Sequence, residues 1–468
     1  MFDPQRPRCH FLPPAQWMND PNGVVQWQGY YHVFYQYNPD SPEWGLMHWG
    51  HTRSTDLVHW EHLPVALSPT PESVDADGCF SGVLVNDGGT PTIIYSGNHN
   101  DVQLPCLATS MDDLVTWEKY AGNPVIAGPP QGMALTCFRD HCVWREGDQW
   151  YQVIGAGVAG VGGAVLLYRS PDLRQWEYIH PLYAATDLGQ GDLWECPDFF
   201  PLGNKYVLVI SALPQRAVWY AIGTLHDWHF IPERWERLEA STTLYAPQTF
   251  RDDLDRRILF GWLCEERSTA DQIGAGWSGV LSYPRILTLG EGDTLHCEPA
   301  PELTSLRGLH HSQSRYTVVA GEFTPLFHSA TSCLELLISW ESDDTAIVGI
   351  SLQHTTPTAH PPVVTIMTDG MTGVTTVTTP SGAWKLTARE KSSATPSLTW
   401  HLYIDCSVIE VFTDDGQSWS GRIYESESAS SVAIIPFVER GRATITQADV
   451  WVLKPIQAEA ELSISSAR

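Results

Sequence analysis

Short runs in which hydrophobic and polar residues alternate, separated by turn sequences, fill most of the chain. Four clear runs cover residues 30–35, 92–95, 151–154 and 206–210. Runs of this length and alternation, bounded by Gly, Pro, Asn and Asp, are typical of β-strands. No segment before residue 300 shows the periodicity of an amphipathic helix, so the pattern predicts an all-β structure over that part.

A turn motif built on Ser, Asp and Leu recurs through the first half, and its spacing predicts a repeated fold. Its aspartates are Asp56, Asp113, Asp172 and Asp227, so the repeat is 55 to 59 residues long. A short apolar run followed by this motif predicts a strand, a turn and another strand. Repeats of this length with about four strands each are typical of β-propeller blades, and a fifth unit continues through residues 249–282.

The last part of the chain has a different pattern. A Pro-containing linker at residues 298–310 has room for one short helix, and strands rich in Val, Ile and Thr follow it. Asp414, Asp415 and Gly416 form a hairpin-turn sequence. We therefore predict an all-β fold class, with a five-bladed β-propeller at residues 1–297 followed by a C-terminal β-sandwich at residues 311–468.

A second repeat carries the candidate chemistry. A segment dense in functional side chains lies 32 to 36 residues before each turn motif, and a related segment stands at the corresponding place in the fifth unit. The same phase in every blade implies the same radial position, and the strand that opens a blade commonly lines the central channel. The repeat thus predicts that side chains from five blades converge at one funnel: Asp20, Ser81, Arg139, Asp140, Glu195 and Tyr245.

Three carboxylates beside one arginine define the chemistry predicted for this funnel. Like charges at close range raise the pKa of at least one carboxyl group, which leaves one acid protonated beside an ionised one. Glycoside hydrolysis requires such a pair, because an acid protonates the leaving oxygen while a carboxylate attacks carbon or activates water. Each segment alone is ordinary, since Asp-Pro-Asn-Gly at residues 20–23 also suits a simple turn. The shared phase is what favours a catalytic site.

Composition and charge exclude several classes of partner. The formal net charge of −27 disfavours nucleic acid and anionic membranes, and no apolar run is long enough to span a bilayer. The expected partner is a small-molecule or oligosaccharide substrate, on which a few of the 20 tryptophans would stack. The sequence does not define the oligomeric state. The first residues lack a signal-peptide layout, which predicts a cytoplasmic protein, or a secreted one if a leader has been removed.

Cysteine and glycine patterns give no sign of a cofactor. The 10 cysteines include no CxxC pair and no zinc-binding spacing, so we expect reduced thiols and no metal. Gly155, Gly157 and Gly160 form a GxGxxG pattern, but a predicted strand follows it where a dinucleotide-binding turn would open a helix. We therefore expect no cofactor.

Several motifs of the chain resemble those of glycoside hydrolase family 32, which contains invertases, exo-inulinases, levanases and fructosyltransferases. The two most specific are Trp-Met-Asn-Asp-Pro-Asn-Gly at residues 17–23 and Trp-Glu-Cys-Pro at residues 194–197. Further matching segments lie at residues 36–39, 48–51, 77–82, 261–262, 277–285 and 402–412. The resemblance implies a retaining β-fructofuranosidase that releases terminal non-reducing β-D-fructofuranosyl residues from sucrose and short fructo-oligosaccharides or fructans.

The resemblance also implies a role for each candidate residue. Asp20 would be the nucleophile that forms a fructosyl-enzyme, Glu195 the acid/base, and Asp140 the stabiliser of the transition state. Arg139 would fix the carboxylates beside the substrate. The other residues implied to line the fructose pocket are Asn19, Gln36, Trp44, Phe80, Ser81, Tyr245 and Trp262.

Two departures from the family pattern leave alternatives open. His141 stands where the family usually has proline, and we interpret it as a tolerated neighbour that points away, although it could add a hydrogen bond or charge near Asp140. The segment before Tyr245 lacks the acidic residues that the family often has there, which leaves the substrate preference open. The alternatives to a hydrolase are a fructosyltransferase using the same intermediate, a non-catalytic fructan-binding propeller, and a propeller glycosidase acting on arabinose or xylose.

Overall fold

The computed structural model describes residues 3–186, 188–354, 362–380, 382–387, 397–424 and 432–456. The chain divides into two compact units. One unit contains Leu12–Leu238 and Thr242–Leu295, and the other contains the residues up to Phe11, Glu239–Ser241 and those from His296 onward. Both units are built mainly from β-strands, which confirms the predicted all-β class.

Within the described part of the chain, the first unit contains five sheets, each made mainly of strands that follow one another in the sequence. The first sheet comprises β1 (Gln16–Trp27), β2 (Tyr30–Asn38), β3 (His48–Ser54) and β4 (Trp60–Leu67). The second comprises β5 (Cys79–Asp87), β6 (Thr90–His99), β7 (Val102–Thr109) and β8 (Glu118–Lys119). The third comprises β9 (Leu135–Glu146), β10 (Gln149–Val158), β11 (Gly162–Ser170) and β12 (Glu177–Ala184).

The fourth and fifth sheets follow a short 3-10 helix at Leu188–Gln190. The fourth comprises β13 (Leu193–Leu202), β14 (Lys205–Leu213), β15 (Ala217–His226) and β16 (His229–Arg237). The later elements are β17 (Leu244–Arg251), β18 (Arg257–Leu263), α1 (Thr269–Ala275), β19 (Trp277–Ser278), β20 (Val280–Leu281), β21 (Arg285–Leu289) and β22 (Leu295–Pro299). The order in the fifth sheet is β17-β18-β21-β22, with β20 paired to β18.

The opening strands of the five sheets form a closed ring. Strands β1, β5, β9, β13 and β17 contact one another in that cyclic order, and β17 contacts β1 again. The ring is closed by β19, which pairs in parallel with β1 between Gln16 and Trp277 and between Trp17 and Ser278. Closure of this kind protects sheet edges, and it produces the N-terminal propeller that the sequence predicts.

The repeated turn motif forms a shared structure between the third and fourth strands of the first three sheets, whereas in the fourth sheet Asp227 and Trp228 form a two-residue turn between His226 and His229. Asp56 accepts backbone hydrogen bonds from Val58 (3.0 Å) and His59 (2.8 Å), and the leucine after it, Leu57, is fully buried at a φ of 66°. Leu114 and Leu173 have the same burial and φ values of 68° and 63°. A carboxylate thus holds the turn while the leucine side chain packs into the blade. In the second sheet this carboxylate is Asp112, which accepts the Thr116 N–H at 2.8 Å, and not the predicted Asp113.

The hydrophobic pattern missed one short helix. Ser268 caps the N-terminus of α1 by accepting the Asp271 N–H, and Gly276 ends the helix in the left-handed conformation. No residue of α1 is buried, so the helix has no apolar face for the pattern to reveal. Among the helices of the described residues, none is long and apolar enough to cross a membrane.

As far as its residues are described, the second unit contains two six-stranded sheets that begin after a 3-10 helix at Pro301–Leu306. Its strands are β23 (Arg307–Val318), β24 (Phe327–Ser329), β25 (Cys333–Ser342), β26 (Ile347–His354), β27 (Val364–Asp369), β28 (Val374–Thr379), β29 (Gly382–Thr387), β30 (Ser397–Asp405), β31 (Val408–Thr413), β32 (Ser418–Arg422), β33 (Val432–Arg440) and β34 (Ala443–Leu453). The sheet orders are β23-β34-β25-β30-β31-β32 and β24-β33-β26-β27-β28-β29. Residues of both sheets, including Leu336, Trp340, Ile350, Ile366, Trp400 and Ile434, form one buried core.

The division of the chain differs from the predicted boundaries at 1–297, 298–310 and 311–468. Residues up to Phe11 and Glu239–Ser241 belong to the sandwich unit, and β23 begins at Arg307, inside the predicted linker. Buried polar contacts explain the difference, because the Glu239 carboxylate accepts the Ser420 N–H at 3.0 Å. Residues 457–468 of the predicted sandwich lie outside the described residues.

His10 is expected to be a major stabilising residue of the sandwich unit. Its fully buried ring lies 2.8 Å from Asp405 Oδ2 and 2.9 Å from Glu410 Oε1. His10→Ala would remove one hydrogen-bonded partner from each of two buried carboxylates, so we expect a loss of about 3–5 kcal/mol in the free energy of unfolding, measured in urea. The matched control is His59→Ala, which removes an ion pair to Asp56 with 50% and 40% exposed side chains and should cost below about 1 kcal/mol. Equal losses would contradict this role.

Candidate active site

The opening strand of every propeller sheet has a β-bulge at the same level. The extra residues are Asn19 and Asp20 in β1, Ser81 in β5, Asp140 in β9, Cys196 and Pro197 in β13, and Ala246 and Pro247 in β17. Bulges redirect side chains and are frequent next to active sites. Asp140, Cys196 and Ala246 also have positive φ values of 64°, 45° and 47°, a conformation uncommon for residues other than glycine. Five bulges at one level therefore define the site.

Four of these residues, Asn19, Asp20, Ser81 and Asp140, line a cavity of about 400 Å³, and Glu195 and Tyr245 line it beside the other two bulges. All of the residues predicted from the sequence line it: Asn19, Asp20, Gln36, Trp44, Phe80, Ser81, Arg139, Asp140, Glu195, Tyr245 and Trp262. Asn98, Asp101 and Gln103 also line it, and the sequence analysis missed them. They belong to the β6–β7 hairpin, and its polar turn after the predicted strand 92–95 was the signal that could have identified them.

Asp20 is held by hydrogen bonds to both carboxylate oxygens. Ser81 donates to Oδ2 at 2.7 Å, and the Asn19 amide donates to Oδ1 at 3.0 Å. Asn19 is itself oriented by the Trp17 indole N–H, which donates to its oxygen at 2.7 Å. Burial raises the pKa of Asp20, the Ser81 hydrogen bond opposes this, and the negative charge of Glu195 raises the pKa further. The hydrogen bonds thus orient the carboxylate and offset part of the rise in its pKa.

Glu195 receives a different set of partners. Arg139 donates to Oε1 from Nη2 at 2.5 Å and from Nε at 3.1 Å, and the Tyr245 hydroxyl donates to Oε2 at 2.6 Å. The two side chains of the Arg139–Glu195 pair are only 21% and 15% exposed. Asp20 is therefore held by neutral donors, namely an amide, a hydroxyl and a thiol. Glu195 is held by a guanidinium and a phenol.

Asp140 lies where burial and charge disfavour ionisation. Burial raises the pKa of Asp140 to about 7, and the charges of Glu195 and Asp20 also raise it, while Arg139 and the Cys196 backbone N–H lower it. That N–H donates to Asp140 Oδ2 at 3.1 Å. Asp140 therefore gains and loses its proton near neutral pH. A positive charge that develops nearby would favour its ionised form.

Cys196 contacts two of the three carboxylates, which sequence reasoning did not anticipate. Its Sγ lies 3.5 Å from Asp20 Oδ2 and 3.5 Å from Asp140 Oδ2. Burial and the neighbouring negative charges hold the pKa of Cys196 well above its usual value. The side chain is therefore a neutral thiol, whose single S–H proton forms a weak hydrogen bond with one of the two carboxylates at a time.

His141 lies behind Asp140 and does not line the cavity. Its Nε2 is 3.1 Å from Ser96 Oγ, which also accepts the Asp140 N–H at 2.9 Å. Burial lowers the pKa of His141 to about 3, so it adds no positive charge near Asp140 at neutral pH. The residue points away, as we interpreted it, and it also supports the bulge through Ser96.

Models of one enzyme family match the chain along almost its whole length. Residues 10–299 match the model of the glycosyl hydrolases family 32 N-terminal domain, and residues 302–452 match that of the family's C-terminal domain. The chain is 33% identical to a sucrose-6-phosphate hydrolase of Escherichia coli, over 96% of this chain and 94% of that protein. It is 32% identical to a raffinose invertase of Escherichia coli, over 96% and 95% of the two chains.

A solved structure shows the same fold. The crystal structure of fructan 1-exohydrolase IIa from Cichorium intybus superposes with a TM-score of 0.87 at 27% identity, covering 97% of this chain and 98% of that chain. The two family models together match almost the whole length of the chain, and two relatives exceed 30% identity across it. This chain belongs to glycoside hydrolase family 32 and is a glycosidase of the invertase type.

Proposed function

We propose that the cavity cleaves terminal β-D-fructofuranosyl residues from sucrose and short fructo-oligosaccharides by a retaining double displacement. The observation that carries this proposal is that Asp20, Asp140 and Glu195 open onto one cavity, while separate hydrogen-bond sets hold Asp20 and Glu195. Two carboxyl groups with different environments are what a nucleophile and an acid/base need.

In the first step, Asp20 attacks the anomeric carbon of the fructosyl residue. The bond from that carbon to the bridging oxygen breaks, and Glu195 transfers its proton to the departing sugar oxygen. The Asn19 and Ser81 donors hold the Asp20 carboxylate in the orientation for attack. The Arg139 and Tyr245 donors to Glu195 then stabilise the carboxylate left after proton transfer.

In the second step, water replaces the departed sugar. Glu195, now a carboxylate, removes a proton from the water as its oxygen attacks the same carbon, and the bond to Asp20 breaks. Fructose leaves and both side chains return to their starting protonation states. Throughout, the Asp140 carboxylate faces the fructosyl ring and stabilises its oxocarbenium-like charge.

A direct assay tests the proposed function. The purified chain should release glucose and fructose in equal amounts from sucrose, and fructose from 1-kestose, inulin and levan at rates that define the chain-length preference. Glucose released in excess over fructose at high sucrose would indicate the fructosyltransferase alternative. Binding of fructan without any fructose release would indicate the non-catalytic propeller, and either result would overturn the hydrolase.

The acid limb of the pH profile should respond to the charge of Arg139. Activity requires Asp140 as a carboxylate, so kcat/KM falls as the pH drops through the raised pKa of Asp140, which Arg139 lowers. Arg139→Met removes that cation and should move the acid limb upward by about one pH unit. Arg139→Lys keeps the charge and is expected to move it less. An acid limb that stays in place in Arg139→Met would argue against Asp140 as the controlling group.

A phosphorylated sucrose is a second candidate substrate, because one relative is a sucrose-6-phosphate hydrolase and an exposed arginine lies beside a pocket residue. Arg139 is the only cation among the described residues that line the cavity, and it is paired with Glu195. Arg216, in the turn between β14 and β15, has its guanidinium 5.5 Å from the ring centre of Trp262, which lines the cavity. We infer that Arg216 binds an anionic group on the leaving sugar.

Arg216→Ala should distinguish the two substrates. We expect the KM for sucrose 6-phosphate to rise about 5- to 10-fold, the effect of one partly exposed charge pair, while the KM for sucrose changes less than about twofold. The control is Arg174→Ala, which removes an exposed arginine stacked at the same 5.5 Å over Tyr120 away from the cavity lining. Equal changes for both substrates would exclude phosphate recognition by Arg216.

A further inference from the structure

Three cysteines and an aspartate meet inside the sandwich unit. The Sγ atoms of Cys9 and Cys333 and a carboxylate oxygen of Asp405 all lie within 4.8 Å of one another. Cys406 Sγ is 3.9 Å from Cys333 Sγ, and Cys333 Sγ is 3.4 Å from Asp405 Oδ1. These four residues, the thiol cluster, come from three segments of the sequence, at residue 9, residue 333 and residues 405–406.

The backbone fixes the geometry of the thiol cluster. Cys333 opens β25 and pairs directly with Asp405, the last residue of the neighbouring strand β30. Cys406 follows in the turn to β31, with a positive φ of 53°. Cys9 belongs to the N-terminal segment of the same unit. Two adjacent strand ends and one crossing segment thus bring the side chains together.

The cluster is buried, and its carboxylate is already oriented. Cys9, Cys333 and Cys406 are 2%, 3% and 7% exposed, and Asp405 is fully buried. Asp405 Oδ2 accepts the Cys9 N–H at 2.7 Å and the His10 N–H at 2.8 Å, and it lies 2.8 Å from His10 Nδ1. Oδ1 accepts the Arg8 N–H at 2.8 Å and faces Cys333. Hydrogen bonds of this kind orient carboxylate ligands in metal sites.

We propose that the thiol cluster binds one zinc ion, with Cys9, Cys333 and Asp405 as the preformed ligands and Cys406, next to Cys333, moving in to complete the coordination. Thiolate sulfurs and a carboxylate oxygen are ligands that zinc accepts in tetrahedral sites. At a zinc–sulfur distance of about 2.3 Å, two sulfurs of a tetrahedral site lie about 3.8 Å apart, close to the separation of Cys333 and Cys406. Each thiol that coordinates the ion releases its proton to solvent.

This site was not predictable from spacing, and the sequence analysis expected no metal. Cys9, Cys333 and Cys406 form no CxxC pair, and the fold alone makes Cys406 a neighbour of Cys333. The same atoms could instead form a disulfide between Cys333 and Cys406, or a metal-free cluster of three hydrogen-bonded thiols. Both differ from a metal site in metal content and in thiol chemistry.

The test uses the whole chain purified without chelator from cells grown with zinc. We expect about one zinc per chain by elemental analysis. After zinc removal, Co²⁺ should bind the wild-type protein with the near-ultraviolet sulfur-to-cobalt charge-transfer band of thiolate ligation. Cys9→Ser and Cys333→Ser should lose the zinc and weaken the cobalt band, while Cys106→Ser, which removes a fully buried thiol of β7, should keep both.

The cobalt spectrum of the wild-type protein keeps the test valid if a serine variant does not fold. Substoichiometric zinc together with no charge-transfer band would overturn the proposal. A Cys333–Cys406 disulfide found by alkylation and mass spectrometry of the freshly purified protein would overturn it too. Zinc retained in both Cys9→Ser and Cys333→Ser would also exclude the thiol cluster as its site.

Discussion

Asp20→Asn should lower kcat for sucrose by about 100,000-fold while leaving the fold intact. An amide cannot form the covalent bond to fructose, so the first displacement stops. The substitution preserves the shape of the side chain, and Ser81 and Asn19, which donate to the present carboxylate, stay in place. The rate is measured by glucose release, and the fold is checked by the unfolding midpoint.

Ser81→Ala is the matched control for this change. It removes the 2.7 Å hydrogen bond to Asp20 and leaves the carboxylate, so the expected loss is only about 10- to 100-fold. If Asp20→Asn and Ser81→Ala had similar residual activities, Asp20 would be a binding residue and the nucleophile would have to be sought elsewhere.

Glu195→Gln should lower kcat for sucrose by about 1,000- to 10,000-fold, because the departing glucose oxygen then receives no proton from the enzyme. A substrate whose leaving group needs no proton, β-fructofuranosyl fluoride, should still react rapidly in the first step. The second step would remain slow, since no base activates water, and fluoride should therefore appear in a burst. Added azide, which needs no base, should restore turnover and yield fructosyl azide.

Tyr245→Phe distinguishes the proton transfer by Glu195 from the hydrogen bond that Tyr245 donates to Glu195. It removes the 2.6 Å hydrogen bond to Glu195 Oε2 but keeps the carboxyl group. We expect a loss of about 10-fold, without a fluoride burst and without rescue by azide. Equal losses of Glu195→Gln on sucrose and on the fluoride would mean that Glu195 is not the acid.

The sequence predicted the site well because the chemistry repeats with the fold. Asp20, Ser81, Asp140 and Glu195 stand at one phase of successive blades, and identical strand positions in a closed ring must face the same channel. The prediction therefore needed no knowledge of long-range contacts. The positions of Gln36, Trp44 and Phe80 came from the family resemblance, and these residues line the same cavity.

The parts that were not predicted depend on contacts without a local pattern. Cys196 touches Asp20 and Asp140 only because a bulge turns its side chain inward. The assignment of the N-terminal segment to the sandwich unit depends on His10 between two acids separated from it by about 400 residues. Periodicity reports which face of a strand a residue occupies, and it carries no information about which distant segment covers that face.

A hydrogen-bonded pair behind Asp140 explains why the site is intact although His141 replaces the proline that the family usually has. Proline would restrict φ at the residue after Asp140. Here the Asp140 backbone N–H is instead held by Ser96 Oγ, which contacts His141 Nε2. A hydrogen-bonded pair thus supports the strained residue from behind the pocket, where the family usually has a rigid ring.

Trapping the covalent intermediate tests the proposed mechanism most directly. Glu195→Gln protein is mixed with β-fructofuranosyl fluoride, quenched in acid, digested and examined by mass spectrometry. One fructosyl residue should be found on the peptide that contains Asp20, and none should be found when Asp20→Ala is added to the same protein. A fructosyl adduct on another carboxylate would contradict nucleophilic catalysis by Asp20. So would hydrolysis of β-fructofuranosyl fluoride that gives no adduct and a product of inverted anomeric configuration.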